Sequence, residues 1–521
     1  MSPPASGIRQ RGLSGWRVLE RSFDTAFGSG LNPLRHLGAI GFLAFWLLAA
    51  TGIVLYIVFD TSVAGAWRSI ESLSRSPFGL GVLLRGVHRY AADLLMLVLL
   101  LHLLREWLHG HERGVRRFHW LTGVPLIIFV FVSAIGGFWL NWDALGQFSA
   151  VATAEWLDAL PLLAAPLARN FLGVEAVGDR LFSLFIFVHL GVPLLLLFGL
   201  WFHIQRLTRA AVMPPRPLAL GVTTMLCLLS LAWPVSSHEP AALDRVPAAL
   251  QLDWLLLWLH PLTEATSAAF TWALVAGALL LLLALPFLPQ PARAPVALVD
   301  PDNCNGCRRC FDDCPYAAVT MVPHPNQRIG RTLARVDPDL CVGCGICAGA
   351  CPSSTPFRSA ERLVTGIDMP QLGVDPLRRR LQQALAASRA ERPLVLFGCD
   401  HGARCAAVVD ADVSVFSLLC AGQLPPSFVE YALRDGAAGV LVSACCEGGC
   451  EFRLGERWTA DRLSGRREPH LRAQVPAARV ELVHAGPGDE GAVDAALQRL
   501  RSRVQAMTIE PHEIPHRLRP V

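Results

Sequence analysis

Six apolar stretches of roughly twenty residues each fill the first 290 positions of this 521-residue chain: Leu37–Phe59, Val87–Leu108, Leu121–Leu140, Leu181–Phe202, Leu218–Val235 and Ala268–Leu288. About 20 apolar residues are what a helix needs to cross a bilayer, and in lipid only helices or closed barrels satisfy their own backbone groups. The runs are apolar throughout rather than at alternate positions, so helices are expected. Only 17% of residues are charged, against about 25% in soluble proteins. A net charge of +4 over this length does not suit nucleic-acid binding. Arginines set the orientation. The segment before the first stretch and the loops 105–117 and 204–217 carry twelve, and the opposite loops carry six: Arg68, Arg75, Arg85, Arg169, Arg180 and Arg245. The positive-inside rule then puts the N-terminus in the cytoplasm, and six spans put the C-terminal half there too.

Histidines inside apolar helices are costly and need a partner. His88 and His102 share one stretch, His189 and His203 another, and both pairs are fourteen residues apart. Fourteen helical steps return to within about 40° of the same face and climb about 21 Å. Two such helices present one histidine pair near each membrane surface, a geometry suited to two stacked bis-histidine haems. No CxxCH is present, so the haems are expected to be non-covalent, b-type. Gly38 and Gly52, and Gly123 and Gly137, repeat the same spacing; a missing side chain there lets a porphyrin approach the backbone.

These residues resemble cytochrome b of the quinol-oxidising bc complexes over residues 30–290. Thr51-Gly52, Arg85-x-x-His88 and Gly136-Gly137-Phe138-Trp139-Leu140-x-Trp142 carry the likeness. The resemblance implies a six-helix all-α membrane bundle, with His88 and His189 at an outer haem and His102 and His203 at a cytoplasmic one. It also makes Arg85 and the four glycines cofactor-binding residues. Leu252-Asp253-Trp254-Leu255 stands where the family carries Pro-Glu-Trp-Tyr, so Asp253 and Trp254 are the expected quinone-site residues on the outer side. The acid is shortened, and the Pro and Tyr are gone. His109, His111 and His119 read as solvated loop residues.

Fourteen of the fifteen cysteines follow residue 300, in CxxC spacings that read as metal ligands rather than disulfides. After a proline-rich linker, Pro286–Pro301, come Cys304, Cys307, Cys310 and Cys314-Pro315, then Cys341, Cys344, Cys347 and Cys351-Pro352. Each is a CxxCxxCxxxCP run, the bacterial two-cluster ferredoxin pattern, in which the fourth cysteine serves the other cluster. Cys304, Cys307, Cys310 and Cys351 should therefore hold one 4Fe–4S cluster, and Cys341, Cys344, Cys347 and Cys314 the second, in an α+β domain. Structural zinc explains neither the third CxxC step nor the prolines.

Beyond an arginine-rich helical connector, Asp375–Arg392, short apolar runs at Pro393–Gly398, Val413–Leu419 and Ala438–Ala444 read as strands, with a helix at Pro425–Gly436. Cys399, Cys420 and Cys445 each follow a strand, and in an open parallel sheet ligands collect beyond the strands' carboxyl ends. Phe397-Gly398-Cys399, Leu419-Cys420-Ala421-Gly422 and Gly439–Cys445 with Gly449-Cys450 resemble the delta subunit of methyl-viologen-reducing hydrogenase, which implies a 2Fe–2S cluster in an α/β domain. Cys399, Cys420, Cys445 and Cys450 are the favoured ligands, with Cys405 or Cys446 as substitutes. Gly486-Pro-Gly488-Asp-Glu-Gly491 is not read as a dinucleotide site, because no later strand supplies the ribose-binding acid.

The expected organisation is a cytoplasmic segment (1–36), a di-haem membrane domain (37–290), a two-cluster ferredoxin domain (291–360), a connector (361–392) and a 2Fe–2S domain (393–521). The expected function is a membrane-anchored electron-transfer subunit in a bacterial cytoplasmic membrane. It would carry electrons from a soluble dehydrogenase through the 2Fe–2S cluster, both 4Fe–4S clusters and both haems to membrane quinone. The resemblance implies a partner such as a flavoprotein, a hydrogenase, a formate dehydrogenase or a heterodisulfide-reductase-like protein, and it allows a homodimer. A reverse wire from quinol to a low-potential acceptor and a redox sensor are the alternatives.

Overall fold

The computed structural model describes residues 7–160, 172, 177–245, 249–289, 294–325, 332–352, 363–408 and 410–507. Arg169 of the outer-loop arginines, residues 290–293 of the linker and the 360/361 domain boundary lie outside them. The chain forms two units: Met1–Gln205 with Ala210–Pro291, and Arg206–Arg209 with Ala292–Val521.

The first unit is helical: α1 (Gly7–Phe27), α2 (Leu37–Val58), α3 (Ala66–Ser74), α4 (Leu80–Leu108), α5 (Arg117–Asn141), α6 (Ala144–Asp158), α7 (Asp179–Ile204), α8 (Arg216–Ala232), α9 (Leu259–Ala265) and α10 (Ala268–Ala284). Among the described residues five helical segments are long and apolar enough to cross a membrane: Leu37–Val58, Pro77–Leu108, Gly114–Asn141, Asp179–Ile204 and Ala268–Phe287. The sixth expected span is α8, an apolar helix of 17 residues, or about 25 Å at 1.5 Å per residue; it ends just ahead of Pro234, whose ring disfavours helix in the residue before it. Outward-facing Ile53, Ile57, Phe187, Leu194, Phe198, Leu228 and Leu280 are exposed. In water such apolar surface would be a liability; facing lipid it is what a span requires. Within the bundle α2 packs on α4 and α5 on α7, around a core that includes Ala44, Phe45, Leu95, Met96, Leu126, Val130 and Leu196.

In the second unit, β1 (Leu298–Val299) pairs antiparallel with β4 (Ile367–Asp368), and β2 (Val319–Pro323) with β3 (Thr332–Val336). Two five-residue helices, α11 (Arg309–Asp313) and α12 (Ile346–Ala350), follow the two cysteine loops. The loops repeat one backbone device: Gly306 and Gly343 have φ of 68° and 74°, and Arg308 and Gly345 have φ of 68° and 76°. These left-handed positions suit glycine, and Arg308 occupies one without it.

The remainder is an open, fully parallel sheet in the order β6 (Val413–Leu418), β5 (Leu394–Cys399), β7 (Gly439–Ala444), β8 (Val480–His484). It is flanked by α13 (Val374–Ala387), α14 (Ser427–Arg434), α15 (Gly455–Leu463) and α16 (Glu490–Ala506). The connector is not a free linker. Val374, Leu377, Leu381 and Leu385 of α13 share a buried core with Phe397, Phe416 and Phe428, because their 3–4 residue spacing gives the helix an apolar stripe.

A buried ionic cluster joins the ferredoxin-like part to the sheet domain. Asp313, beside Cys314, accepts from Arg462 and from Arg467. Arg462 also donates to Gly422 O (2.7 Å), and Trp458 Nε1 donates to Asp313 O (3.2 Å). Arg462 is almost wholly enclosed. Asp313→Ala strands that guanidinium, and breaking a buried pair costs about 3–5 kcal/mol. Chemical denaturation should show a loss of that order and faster hydrogen exchange in α15; a loss below about 1 kcal/mol would mean that the cluster is not what joins these parts.

Candidate redox sites

Each of the four spaced histidines lies against one of the four spaced glycines. A Cβ at Gly38 would stand 3.6 Å from His102 Cε1, at Gly52 3.1 Å from His88 Cε1, at Gly123 3.1 Å from His203 Cε1 and at Gly137 2.9 Å from His189 Cε1. The spacing rule thus operates twice, on α2 against α4 and on α5 against α7. The rings of His88 and His189 face across the bundle with centroids 6.2 Å apart. Metal–imidazole bonds of about 2 Å on both sides would set two ring centres about 6 Å apart, so His88 and His189 are spaced to hold one metal between them. His102 and His203 are electrostatic neighbours.

The Nδ1 atoms are engaged. Thr51 Oγ1 meets His88 Nδ1 at 2.9 Å, Thr122 Oγ1 meets His203 Nδ1 at 3.0 Å, and His189 Nδ1 reaches Ser133 O at 2.8 Å. His102 Nδ1 lies 3.8 Å from Glu106 Oε1. Holding Nδ1 in this way orients the ring and leaves Nε2 for a metal. The two threonines were not singled out from sequence, although a signal existed: each directly precedes one of the glycines, as Thr51-Gly52 and Thr122-Gly123. His119, expected in a solvated loop, instead lies inside α5, its ring 5.8 Å from that of His203. The helix begins at Arg117, which draws this residue into the bundle.

Arg85 is buried and donates to Ser74 Oγ (2.9 Å), Ser237 Oγ (2.7 Å) and Glu71 Oε1 (3.3 Å). Asp253 ion-pairs with Arg89, which also holds Asp93 at 2.5 Å. Asp253 Oδ1 accepts from Leu255 N (2.9 Å) and Leu256 N (2.6 Å), so this acid caps the turn after it. Trp254 is 73% exposed. Close by in sequence, His260 is buried, and its Nε2 lies 3.1 Å from Ser149 Oγ, which Trp139 Nε1 approaches at 3.3 Å.

In the second unit, Cys304, Cys307, Cys310 and Cys351 line one cavity, with Met321, Ala334 and Ile367 in its wall. Cys314, Cys341, Cys344 and Cys347 line a second, walled by Val319, Leu340 and Ile346. Each cavity thus gathers three cysteines of one run and the fourth of the other. Burial pushes the Cys310 thiol up to about 12 and also raises Cys344 and Cys347. Such thiols ionise only beside a strong positive charge, so donor set and environment both fit iron–sulfur ligation.

At the carboxyl ends of the strands, Cys399 Sγ and Cys445 Sγ are 3.5 Å apart. Cys420 neighbours Cys399 and Cys450, and Cys445 neighbours Cys450, all four as free thiols. Four thiols from three strand ends and one loop therefore converge. Gly455 makes room for them: a Cβ there would stand 2.1 Å from Cys420 Sγ and 3.3 Å from Cys450 Sγ. Cys405 belongs to the core between β5 and α16, beside Gly398, and Cys446 lies against Gly486. Burial and the nearby Cys450 lift Glu456, which accepts from Gly448 N, to about 8.

Three family descriptions match the chain in succession: cytochrome b/b6/petB over residues 23–211, the 4Fe-4S dicluster domain over 303–355, and methyl-viologen-reducing hydrogenase, delta subunit, over 397–508. Their order is the order expected from the residues. A solved structure titled hyperthermophilic respiratory complex III is 21% identical over 48% of this chain and 74% of its own, with a TM-score of 0.39. The chain is a multi-pass membrane protein with a cytochrome b region, which implies haem b, and a ferredoxin domain, which implies 4Fe–4S clusters. These are components of membrane electron transfer.

Burial alone lowers His260 to about 4. Its neutral form therefore stabilises the first unit above the unfolded value of 6.5, and that stability is lost as pH falls from 6.5 towards 4. The window is worth about 3 kcal/mol. Thermal unfolding of wild type should steepen across it, and His260→Gln should flatten the dependence; equal pH profiles would place His260 in contact with water.

Proposed function

We propose that the chain is the membrane-anchored electron-transfer subunit of an oxidoreductase. It takes electrons from a soluble dehydrogenase at the Cys399, Cys420, Cys445 and Cys450 site and passes them to membrane quinone. The observation that carries this reading is the fourfold match of imidazole to glycine, with the Nδ1 atoms oriented by neighbours. His88 with His189 and His102 with His203 are the residues that would hold two b haems. The two exchanged cysteine sets would hold 4Fe–4S clusters, and the four convergent thiols a 2Fe–2S cluster. Bound there, these groups supply one-electron carriers; the chain's own residues hold them, keep water away and fix their order.

The arginine distribution favours both termini in the cytoplasm of a bacterial cell, with the His102 and His203 pair on that side. Quinone then reacts at the opposite side, near Asp253, Trp254 and the segment after Trp139. Asp253 is held by Arg89 and by two backbone amides, so a proton role there requires that ion pair to open. An electron crossing outward gains about 2.3 kcal/mol per 100 mV of membrane potential, which favours delivery to quinone over the reverse wire. The soluble partner is a dehydrogenase-type protein: a flavoprotein, hydrogenase, formate dehydrogenase or heterodisulfide-reductase-like subunit.

His102→Ala should remove one of two bis-histidine haems from reduced-minus-oxidised spectra. It should also cut the iron–sulfur half off from quinone while the cluster signals persist. Two intact haems in that variant would refute the ligand assignment.

A further inference from the structure

Helix α9 packs on α6, and polar side chains line the seam between them. Buried His260 and buried Ser149 meet there, Nε2 to Oγ at 3.1 Å. Further along the seam, Trp156 Nε1 donates to Thr271 Oγ1 at 2.9 Å, and Thr263 Oγ1 meets the same atom at 3.1 Å. Thr153 falls between these two contacts on α6, one helical turn from Ser149 and on the same face. Its hydroxyl is enclosed and has no hydrogen-bond partner among the described residues.

The protons at His260 can be placed. Trp139 Nε1, a donor only, approaches Ser149 Oγ at 3.3 Å. Among the described residues His260 Nε2 is the acceptor open to the Ser149 hydroxyl, so the hydroxyl proton points at Nε2 and the ring proton sits on Nδ1. Burial alone displaces the pKa of His260, down to about 4, so no charged neighbour favours an imidazolium. The Nδ1–H group has no acceptor among the described residues, and a buried donor left unpaired is costly. The Phe148 ring stands perpendicular to that of His260 at 5.9 Å. Two donors without acceptors, on uncharged side chains beside an aromatic wall, suit a neutral ligand with carbonyl oxygens on an apolar ring; they suit neither an anion nor a cation. Asp253, seven residues earlier, cannot be such a donor. Ionised, it only accepts, and Arg89 and the amides of Leu255 and Leu256 already occupy it.

We propose that His260 is a quinone-binding residue, its Nδ1–H donating to one quinone carbonyl in the seam between α6 and α9, with the Thr153 hydroxyl as a second donor. Ser149 positions the ring by holding Nε2, and Trp139 holds Ser149. No bond forms or breaks in this step, and the ring stays neutral. The proposal rests on the quinone-linked reading above and supplies that site with the donors Asp253 lacks.

The full-length protein in detergent is reduced, freed of reductant and mixed with increasing amounts of a short-tailed benzoquinone with isotope-labelled carbonyls. Haem reoxidation gives the half-saturating concentration and the limiting rate, and infrared difference spectra give the carbonyl stretch. Wild type should saturate, with a carbonyl band moved to lower frequency by the hydrogen bond. His260→Leu should raise the half-saturating concentration about tenfold, leave the limiting rate nearly unchanged and return the band to its free position. His260→Gln keeps an N–H donor and should stay near wild type. Thr153→Val should raise the half-saturating concentration about threefold, and it carries the test should His260→Leu disturb the haem spectra. Saturation unchanged in both His260→Leu and Thr153→Val would mean that the two donors hold a water molecule and overturns the proposal. His260→Gln impaired as much as His260→Leu would make the ring a packing residue and overturns it too. Wild-type haems that quinone leaves reduced would sink the quinone-linked reading itself.

Discussion

Donor atoms held away from water are the constraint on which this molecule is built. A buried imidazole or thiol has no favourable charged state of its own, and a fold that gathers such groups must orient them for something that satisfies them. In the helical unit each ring sits in the space a glycine leaves open, with Nδ1 of His88, His189 and His203 bonded to Thr51, Ser133 O and Thr122. In the second unit left-handed turns and strand ends perform the same task for sulfur. The lipid-facing apolar surface, the helix pairing and the parallel sheet all serve to bring these donors together.

Local periodicity made much of this legible. A fourteen-residue spacing is a property of one helix, and a CxxCxxCxxxCP run is a property of one loop, so both could be read without knowing which helices or loops meet. The convergence of Cys399, Cys420 and Cys445 was also readable, since parallel strands must end on one side. Pairings across long stretches of chain were not. Nothing local links Asp313 to Arg462, Arg89 to Asp253 or His260 to Ser149. His119 was misplaced for a related reason: the loop before α5 is short, and where a helix begins is decided by the packing of its first turn as much as by its residues.

The ionic cluster at Asp313 ties the sheet domain to the cysteine set containing Cys314, and Thr208 of the Arg206–Arg209 segment bonds to Cys314 O and to Arg453. Burial of Arg462 and stacking of Arg467 on Trp458 (3.5 Å to the centroid) make that connection stiff, which suits groups whose exchange depends on fixed separations. The pairing of Asp253 with Arg89 has a similar effect beside His88, holding the turn that carries Trp254.

The central claim is that one polypeptide links cysteine-held centres to membrane quinone through two histidine-held haems. The most direct measurement reduces the purified protein chemically, removes the reductant and adds a soluble quinone analogue while haem absorbance and cluster signals are recorded. The account predicts that haems and clusters reoxidise together, and that His102→Ala leaves the clusters reduced. Haems that stay reduced in the presence of excess quinone would contradict it.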